Sequence, residues 1–314
     1  MNIKSVHGLL FILLIAHVAG AQRPDYLKKD SIFSSLDNNA EVFYYDKSTS
    51  SVAQPLVVEL HSWSNSSHSQ TGIMVQQTHA KNWNFIFPNF RGVNDKPKTC
   101  CSDFVIADID EAIDWALKNM NVDAKRIYII GHSGGGYATF AMYMKSRHSI
   151  HSFSAWCGIS DLSDWYRQSV ERKNRYGPDI IKCTEAGDIF NEQKAKDRSP
   201  LYWKMPVKKR KHSVLQIYAG IHDGYTGSVP ISQSINFYNK LLTDTKEKNS
   251  SKYVSDADAA VMLKEQKLPA KEIAEKIDGR KIHYYNASGK ISITIFEGTH
   301  EILRNAVLEK IPGN

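Results

Sequence analysis

The stretch Arg126-Ile-Tyr-Ile-Ile-Gly131-His132-Ser133-Gly134-Gly135-Gly136 decides the fold of this chain. Its first half is an apolar, β-branched run, which is typical of a buried strand in a parallel sheet. The alanine- and methionine-rich segment that follows, residues 137–144, predicts a helix. Ser133 therefore lies at a strand-to-helix turn, where the glycines at 131 and 135 leave room for a strained backbone. A serine held in such a turn is a candidate nucleophile.

Strand and helix patterns alternate on both sides of this stretch. The predicted strands are 41–45, 56–60, 85–88, 126–130, 153–157, 214–219 and 291–296, and the predicted helices are 105–117, 137–144 and 230–242. This alternation predicts an α/β fold with a mostly parallel central sheet and helices on both faces. Neither an internal repeat nor a low-complexity linker divides the chain, so we expect one domain.

The amino terminus has the pattern of a cleavable secretory signal. Lys4 precedes an apolar run over residues 9–18, and small residues occupy positions 19–21. The apolar run is too short to span a bilayer. We therefore expect residues 1–21 to be a signal peptide and residues 22–314 to form a single α/β domain. The mature protein is then expected to be secreted or periplasmic.

Two segments do not fit the alternation and are treated as inserts. Residues 162–211 are charged and aromatic and follow the strand 153–157, where a small cap could form over the edge of the sheet. A cap or a partner surface is one interpretation of either insert, and a solvated surface segment is the default. Residues 243–280 contain Ser255 and Asp258, a helix-start signal, and then Pro269. We expect two short surface helices here, the second running through Ile273 and Ile277.

The formal net charge of +7 comes in large part from one basic run, residues 204–212. Such a run could dock an acidic polymer or a membrane surface, but a solvated loop before the next strand is the more common arrangement. We therefore assign the run no role and expect neither nucleic acid nor a membrane as a partner.

The chain has four cysteines, at positions 100, 101, 157 and 183. In an oxidising compartment one disulfide is expected. Cys100 or Cys101 can reach Cys183 if both segments emerge at the same edge of the sheet. Cys157 ends an apolar run and is expected to be buried and free. None of the spacings is typical of a zinc site, so no metal is expected.

A nucleophilic serine needs a base that takes its proton and a third group that orients the base. Asp223 lies in a turn after the strand 214–219, and His300 lies in the loop after the strand 291–296. The order serine, acid, histidine at the ends of strands resembles that of the α/β-hydrolases. We therefore predict a catalytic triad of Ser133, Asp223 and His300.

Other polar residues near these strand ends compete for the same roles. Asp161 and Asp164 follow the strand 153–157, where some hydrolases carry the acid, and are the alternative acids. His222 adjoins Asp223 and is interpreted as a residue behind the triad or beside the substrate. Tyr225 is a second candidate on the substrate side.

The loop after the strand 56–60 is expected to help bind the oxyanion of the reaction intermediate. The backbone amide of Gly134 is one predicted donor, and the amide of Trp63, or of its neighbour Ser62, is the other. His61 is interpreted as a structural histidine that ties this loop down.

From about residue 55 to residue 303 the chain resembles the catalytic domain of the prolyl oligopeptidase family. The matching segments are 60–63, 88–92, 108–115, 122–127, 131–135, 160–162, 198–201, 222–224 and 298–300. The resemblance implies an α/β-hydrolase fold and a serine hydrolase that uses Ser133, Asp223 and His300 without a cofactor.

Two features differ from the peptidases of that family. These usually carry an amino-terminal β-propeller, whereas a few dozen residues precede the first hydrolase strand here, and the loop 61–65 lacks a His-Gly-Gly pattern. Compact, exported relatives resemble esterases that remove acetyl or feruloyl groups from plant polysaccharides. Aromatic residues that could stack on sugar rings are Trp63, Trp83, Trp165, Tyr166, Tyr176, Tyr202, Trp203 and Tyr225.

The leading hypothesis from the sequence is an exported serine esterase that acts on acylated carbohydrate, either a small molecule or a polysaccharide. The first alternative is a serine peptidase that acts on short peptides. The second is a non-catalytic protein that binds carbohydrate or a partner on a hydrolase scaffold.

Overall fold

The computed structural model describes residues 23–185, 187–267 and 273–311, so the predicted signal peptide, residues 1–21, lies outside the described residues. Within them the strands are β1 (Lys28–Phe33), β2 (Ala40–Asp46), β3 (Gln54–Leu60), β4 (Asn84–Pro88), β5 (Val122–His132), β6 (Ser152–Trp156), β7 (Val214–Gly220), β8 (Lys276–Ile277), β9 (Arg280–Ser288) and β10 (Ile291–Phe296). The helices are α1 (Val75–Ala80), α2 (Asp103–Asn119), α3 (Gly134–Lys145), α4 (Leu162–Glu171), α5 (Tyr176–Cys183), α6 (Glu192–Asp197), α7 (Val207–Arg210), α8 (Ser232–Asp244), α9 (Asp256–Glu265) and α10 (Arg304–Glu309). No helix in these described ranges has both the length and the apolar character to cross a membrane.

The strands form one sheet in the order β1-β2-β4-β3-β5-β6-β7-β10-β9-β8. The run from β4 to β10 in this order is parallel throughout. Antiparallel strands extend it at both edges, β2 and β1 on one side and β9 and β8 on the other. The prediction of a mostly parallel sheet is confirmed, and the carboxyl ends of the parallel strands meet at one edge.

Side chains alternate between the two faces of the sheet and build one core on each side. On β3, Leu56 and Val58 belong to the core that packs against α2, α3 and α8. Val57, between them, belongs to the core on the other face, which includes residues of α1 and α10. The expected helical layer is therefore present on both faces.

The first insert folds into helices α4 to α7 and is bonded covalently to the body of the protein. Cys183, at the end of α5, forms a disulfide with Cys100. Cys101 and Cys157 are free and buried. The expected disulfide and the free state of Cys157 are confirmed, and the structure selects Cys100 over its neighbour.

The basic run is largely exposed, as the sequence predicts, but it is not a simple loop. Part of it forms α7, and Arg210 is only 2% exposed. Its guanidinium donates to the carbonyl oxygens of Met142, Tyr143, Ser146 and His148 at distances of 2.6 to 3.0 Å. The last backbone carbonyls of a helix have no N–H partner within that helix. Arg210 supplies the missing donors at the end of α3.

The second insert follows the prediction in its first half only. Helix α9 begins after Ser255, whose hydroxyl accepts from the Asp258 amide. Ile277, predicted to be helical, instead belongs to strand β8, which pairs with β9. Asp278 and Gly279 between them have positive φ angles of 48° and 74°, and an Asp-Gly pair of this kind favours a tight hairpin over a helix. Strand β9 itself was not predicted, and Pro269 lies outside the described residues.

Candidate active site

Ser133 occupies a strained turn between β5 and α3. Its backbone angles are φ 60° and ψ −119°, a region that residues with a Cβ rarely adopt. A Cβ on Gly131 would lie 2.1 Å from the carbonyl oxygen of Gly135, and one on Gly135 would lie 2.1 Å from that of Leu60. Both glycines are therefore required by close packing. The turn leaves Ser133 8% exposed at the carboxyl end of β5.

Ser133, His300 and Asp223 form one chain of hydrogen bonds. The His300 Nε2 atom lies 2.8 Å from the Ser133 Oγ atom, and the Nδ1 atom lies 2.7 Å from Asp223 Oδ2. The other carboxylate oxygen accepts from the amides of Gly224 and Val229 at 2.9 and 3.0 Å. Because the carboxylate can only accept from Nδ1–H, the network assigns the lone pair to Nε2, facing the serine hydroxyl.

The two predicted oxyanion donors lie side by side. A Cβ on Gly134 would lie 2.2 Å from the Trp63 amide nitrogen, so the first residue of α3 packs directly on the loop after β3. Among the described residues, the Trp63 amide has no backbone acceptor, while its carbonyl accepts from the Asn94 amide at 3.0 Å. Of the two candidates in this loop, Trp63 is thus adjacent to Gly134 with its N–H available.

A family model described as alpha/beta hydrolase fold matches residues 55–283. The chain belongs to the α/β-hydrolase fold family. No curated protein sequence matches this α/β-hydrolase.

Solved structures similar to this α/β-hydrolase include several peptidases. Uncomplexed acylaminoacyl peptidase of Pyrococcus horikoshii is 19% identical with a TM-score of 0.55, over 70% of this chain and 36% of that one. Prolyl oligopeptidase B of Galerina marginata is 16% identical with a TM-score of 0.53, over 71% and 32%. A puromycin-hydrolyzing peptidase of Mycobacterium tuberculosis is 16% identical with a TM-score of 0.55, over 69% and 34%. The chain spans about a third of the length of each, and the likeness confirms the predicted fold.

His132 is a neighbour of the hydrogen-bonded chain that the sequence analysis did not single out. Its ring lies 4.8 Å from the His300 ring, centroid to centroid. Burial, followed by the nearby His300, lowers the pKa of His132 to about 3, so its ring is neutral and packs against His300 without adding charge. Its position inside the Gly-x-Ser-x-Gly turn is a signal that could have identified it.

Cys157 lies beneath the loop that carries His300. Its Sγ atom is 3.5 Å from the Glu301 carbonyl oxygen, and burial raises the pKa of the thiol well above its usual range. Metal-ligating atoms of His132, Cys157 and His300 lie within 4.8 Å of one another. Both ring nitrogens of His300 already bind Asp223 and Ser133, however, so this group does not form a ready metal site.

His61 ties down the loop after β3, which is the structural role that the sequence predicts. The Nε2 atom lies 2.7 Å from the Asn89 carbonyl oxygen, and the ring stacks on Phe90 at 3.8 Å. Burial lowers the pKa of His61 to about 4, so the ring is neutral and the short contact is a donated N–H. The ring joins the loops after β3 and β4.

His222 and Tyr225, the two substrate-side candidates, both contact the second insert of the hydrolase. The His222 Nδ1 and Nε2 atoms lie 2.5 and 2.7 Å from Gln266 Oε1 and Glu297 Oε1. The Gln266 bond, and then Glu297, raise the pKa of His222. Tyr225 donates its hydroxyl to the Leu263 carbonyl and keeps 58% of its surface exposed. Tyr225 is therefore the more exposed of the two, since 31% of the His222 side chain is exposed.

The alternative acid Asp161 has a structural role. Its Oδ1 atom accepts from the amides of Ser163 and Asp164, which caps α4, and its Oδ2 atom accepts from the Tyr202 hydroxyl at 2.7 Å. The other candidate, Asp164, accepts from the side chain of Gln168. Asp223, and neither of these two, is the carboxylate that binds His300.

Of the eight aromatic residues considered for sugar stacking, three are buried and three are partly buried. Trp63, Trp83 and Trp165 are buried. The Trp63 ring lies 4.8 Å from that of Trp165, and its indole N–H donates to Asp179 Oδ2 at 3.2 Å. Of the eight candidates, Tyr202 and Tyr225 are the exposed ones, at 48% and 58%. The structure therefore lends little support to a sugar-stacking surface.

Proposed function

We propose that this protein is a serine hydrolase that cleaves acyl bonds through an acyl-enzyme. The observation that carries the proposal is the pair of hydrogen bonds of His300, 2.8 Å to Ser133 Oγ and 2.7 Å to Asp223 Oδ2. This is the arrangement in which a neutral imidazole can take the serine proton as the hydroxyl attacks a carbonyl carbon.

The reaction then follows from the positions of these groups. Ser133 Oγ forms a bond to the carbonyl carbon while His300 Nε2 takes its proton, and Asp223 stabilises the imidazolium. The amides of Trp63 and Gly134 donate to the oxyanion of the tetrahedral intermediate. His300 returns the proton to the leaving group, and water attacks the acyl-enzyme in the same way to release the acid.

We propose short peptides or acylated peptides as the substrate class. The similar solved structures are an acylaminoacyl peptidase, a prolyl oligopeptidase and a puromycin-hydrolyzing peptidase, and burial of Trp63, Trp83 and Trp165 leaves these three rings unable to stack on a sugar. An amide leaving group needs a proton, which His300 is positioned to supply.

Ester hydrolysis is the second candidate, and it uses the same residues. The loop His61-Ser-Trp-Ser-Asn65 lacks the His-Gly-Gly pattern that is common in peptidases of the prolyl oligopeptidase family. This difference favours an esterase that removes acetyl or feruloyl groups from a small or polymeric carbohydrate. Export to the periplasm or the medium is proposed for either activity, and the Cys100–Cys183 disulfide supports an oxidising compartment.

Ser133→Ala is the variant that tests the proposal. We expect it to lose at least about a thousandfold in turnover and to lose labelling by a fluorophosphonate, with unchanged circular dichroism. The control is Ser51→Ala, an exposed serine in the loop before β3, which should keep full activity. Turnover and labelling that survive in Ser133→Ala would end the proposal.

One substrate panel separates the candidates. Peptide anilides, aryl acetates, and acetylated and feruloylated glycans are measured side by side with the wild-type enzyme, with rates corrected for leaving-group reactivity. Preferred release of amines supports the peptidase, and preferred release of acetate or ferulate supports the esterase. Failure of the wild-type protein to react with a fluorophosphonate would favour a non-catalytic binding protein.

A further inference from the structure

A basic cleft of about 540 Å³ lies at the edge of the sheet opposite Ser133. It is bordered by the starts of β7 and β10, whereas Asp223 and His300 follow the ends of these same strands. Strands of this length separate the two edges by about 20 Å. The basic cleft is thus physically distinct from the candidate active site.

Cationic side chains outnumber acidic ones in the lining of the basic cleft. Its charged members are Arg210, Lys211, Lys246, Lys248, Lys290 and a single acid, Glu247. Arg210 forms part of the floor, with its donors used by backbone carbonyls. Burial lowers the pKa of Arg210 to about 10, so it remains charged at neutral pH and adds to the positive potential.

The four lysines reach the cleft from three separate segments of the chain. Lys211 follows α7, Lys246 and Lys248 follow α8, and Lys290 lies in the hairpin between β9 and β10. All four are exposed. Within the described residues none of these ammonium groups has an ion-pair partner. Their convergence is a product of the fold and not of one charged run.

The backbone that carries these lysines is held in place. The amide of Lys246 donates to the Thr243 carbonyl oxygen at 3.0 Å, and the Lys290 carbonyl accepts from the Leu215 amide at 2.8 Å. Glu247 is occupied locally, because its carboxylate accepts from the Ser288 hydroxyl and the Asn249 amide. The ammonium groups therefore remain as unpaired donors on a fixed frame.

We propose that the basic cleft binds a small ligand that carries several phosphate or sulfate groups. Ammonium groups of one sign in a concave site repel one another and focus a positive potential, which an oxyanion relieves. Lysine binds phosphate as a compact charge with rotatable donors. Apolar parts of Val207 and Ile291 in the lining can contact the carbon frame of such a ligand.

Isothermal titration calorimetry tests the proposal with two probes, inositol hexakisphosphate and sucrose octasulfate. The full chain is titrated at an ionic strength of about 0.15 M, where long-range attraction is screened. We expect saturable binding of one probe molecule per chain. The probe that binds more tightly distinguishes phosphate from sulfate chemistry. Absence of saturable binding for both probes would overturn the proposal.

Variants with two reversed charges test whether the probe binds in the basic cleft. Lys246→Glu/Lys290→Glu is expected to weaken binding by at least about tenfold. The matched control is Lys28→Glu/Lys29→Glu on the exposed strand β1, which is the outermost strand on the side of the sheet away from β9 and β8. It has the same charge change and should bind the probe as the wild type does. Equal loss in both variants would show diffuse attraction to net charge and overturn the proposal.

A charge-neutralising variant and a check of folding accompany the charge reversals. Lys246→Gln/Lys290→Gln removes the charges without introducing carboxylates and should also weaken binding. Labelling of Ser133 by a fluorophosphonate, together with thermal melting, checks that each variant is folded. A folded Lys246→Gln/Lys290→Gln variant with unchanged affinity would exclude these lysines as ligands.

Discussion

Glu59 is a carboxylic acid inside the protein, one residue before the end of β3. It is 4% exposed. Its two oxygens accept from the amides of Ile73 and Met74 at 2.5 and 2.8 Å, so it ties the segment before α1 to the sheet. Burial raises the pKa of Glu59 to about 7, against the opposing effect of these two hydrogen bonds. A residue that should favour water therefore titrates in the neutral range.

Glu59→Gln is expected to change the pH dependence of stability. An acid whose pKa is higher in the folded state stabilises the fold fully below its ordinary pKa of 4.5, and this contribution is lost as the pH rises to about 7. The free energy of unfolding of the wild type should therefore fall over this range, relative to the variant, by on the order of 2 kcal/mol. Urea unfolding of both proteins at pH 4.5, 6 and 8 measures this difference in the free energy of unfolding across the range in which Glu59 titrates.

The control for this measurement is Glu265→Gln, at the exposed end of α9. Its stability should follow that of the wild type at every pH. A constant difference between the wild type and Glu59→Gln across the range would show that Glu59 does not titrate there.

At the scale of elements, the first insert holds the loop that carries the candidate oxyanion donor. Asp179 on α5 accepts from the Trp63 indole N–H at 3.2 Å. On α4, the Trp165 indole N–H donates to the Ser228 carbonyl oxygen at 2.8 Å, and the Trp165 ring stacks on Tyr176 at 4.8 Å. The insert therefore braces two loops at the carboxyl edge of the sheet, the Trp63 loop and the segment after Asp223.

Asp179→Ala is expected to reduce kcat by about tenfold with a smaller change in KM. Loss of the acceptor lets Trp63 shift, and a displaced oxyanion donor weakens the transition state more than substrate binding. Asp179→Asn keeps an acceptor oxygen and should retain most of the activity. Steady-state kinetics on the best substrate of the panel gives both constants.

The matched control is Asp188→Ala, an exposed aspartate of the same insert. It should leave kcat and KM as they are. Equal kinetics for Asp179→Ala and the wild type would mean that the indole bond does not position the Trp63 amide.

At the scale of the whole molecule, the Cys100–Cys183 disulfide joins the insert to the segment before α2 across a sequence separation of 83 residues. A cross-link of this span reduces the freedom of the unfolded chain. We expect Cys100→Ser/Cys183→Ser to lower the free energy of unfolding by about 2–5 kcal/mol, measured by urea denaturation. Because α5 carries both Cys183 and Asp179, the variant should also lower kcat.

Reduction by dithiothreitol provides the control. It should destabilise the wild type to the level of the double variant and leave the double variant unchanged. A wild type that is equally stable before and after reduction would show that the disulfide does not contribute to stability.

Patterns among neighbouring residues were sufficient to predict much of the fold. Strand β10 was predicted over residues 291–296 and is found at Ile291–Phe296, because its apolar pattern is read from neighbouring residues. Ser133 at the turn could be predicted for the same reason. Arg210 and Glu59 could not be assigned in this way, because their hydrogen-bond partners belong to other segments of the chain. Ile277 was misassigned because an Asp-Gly turn outweighed the weak helical pattern.

The sequence by itself determined the parallel α/β architecture and the serine turn, since hydrophobic periodicity and glycine backbone freedom act over a few residues. It also ordered Ser133, Asp223 and His300 along strands whose ends share one edge. Only the tertiary structure decided which side chains meet there: the bonds of His300, the choice of Cys100 for the disulfide and the convergence of four lysines in the basic cleft. Those contacts depend on the packing of distant segments, which no local pattern specifies.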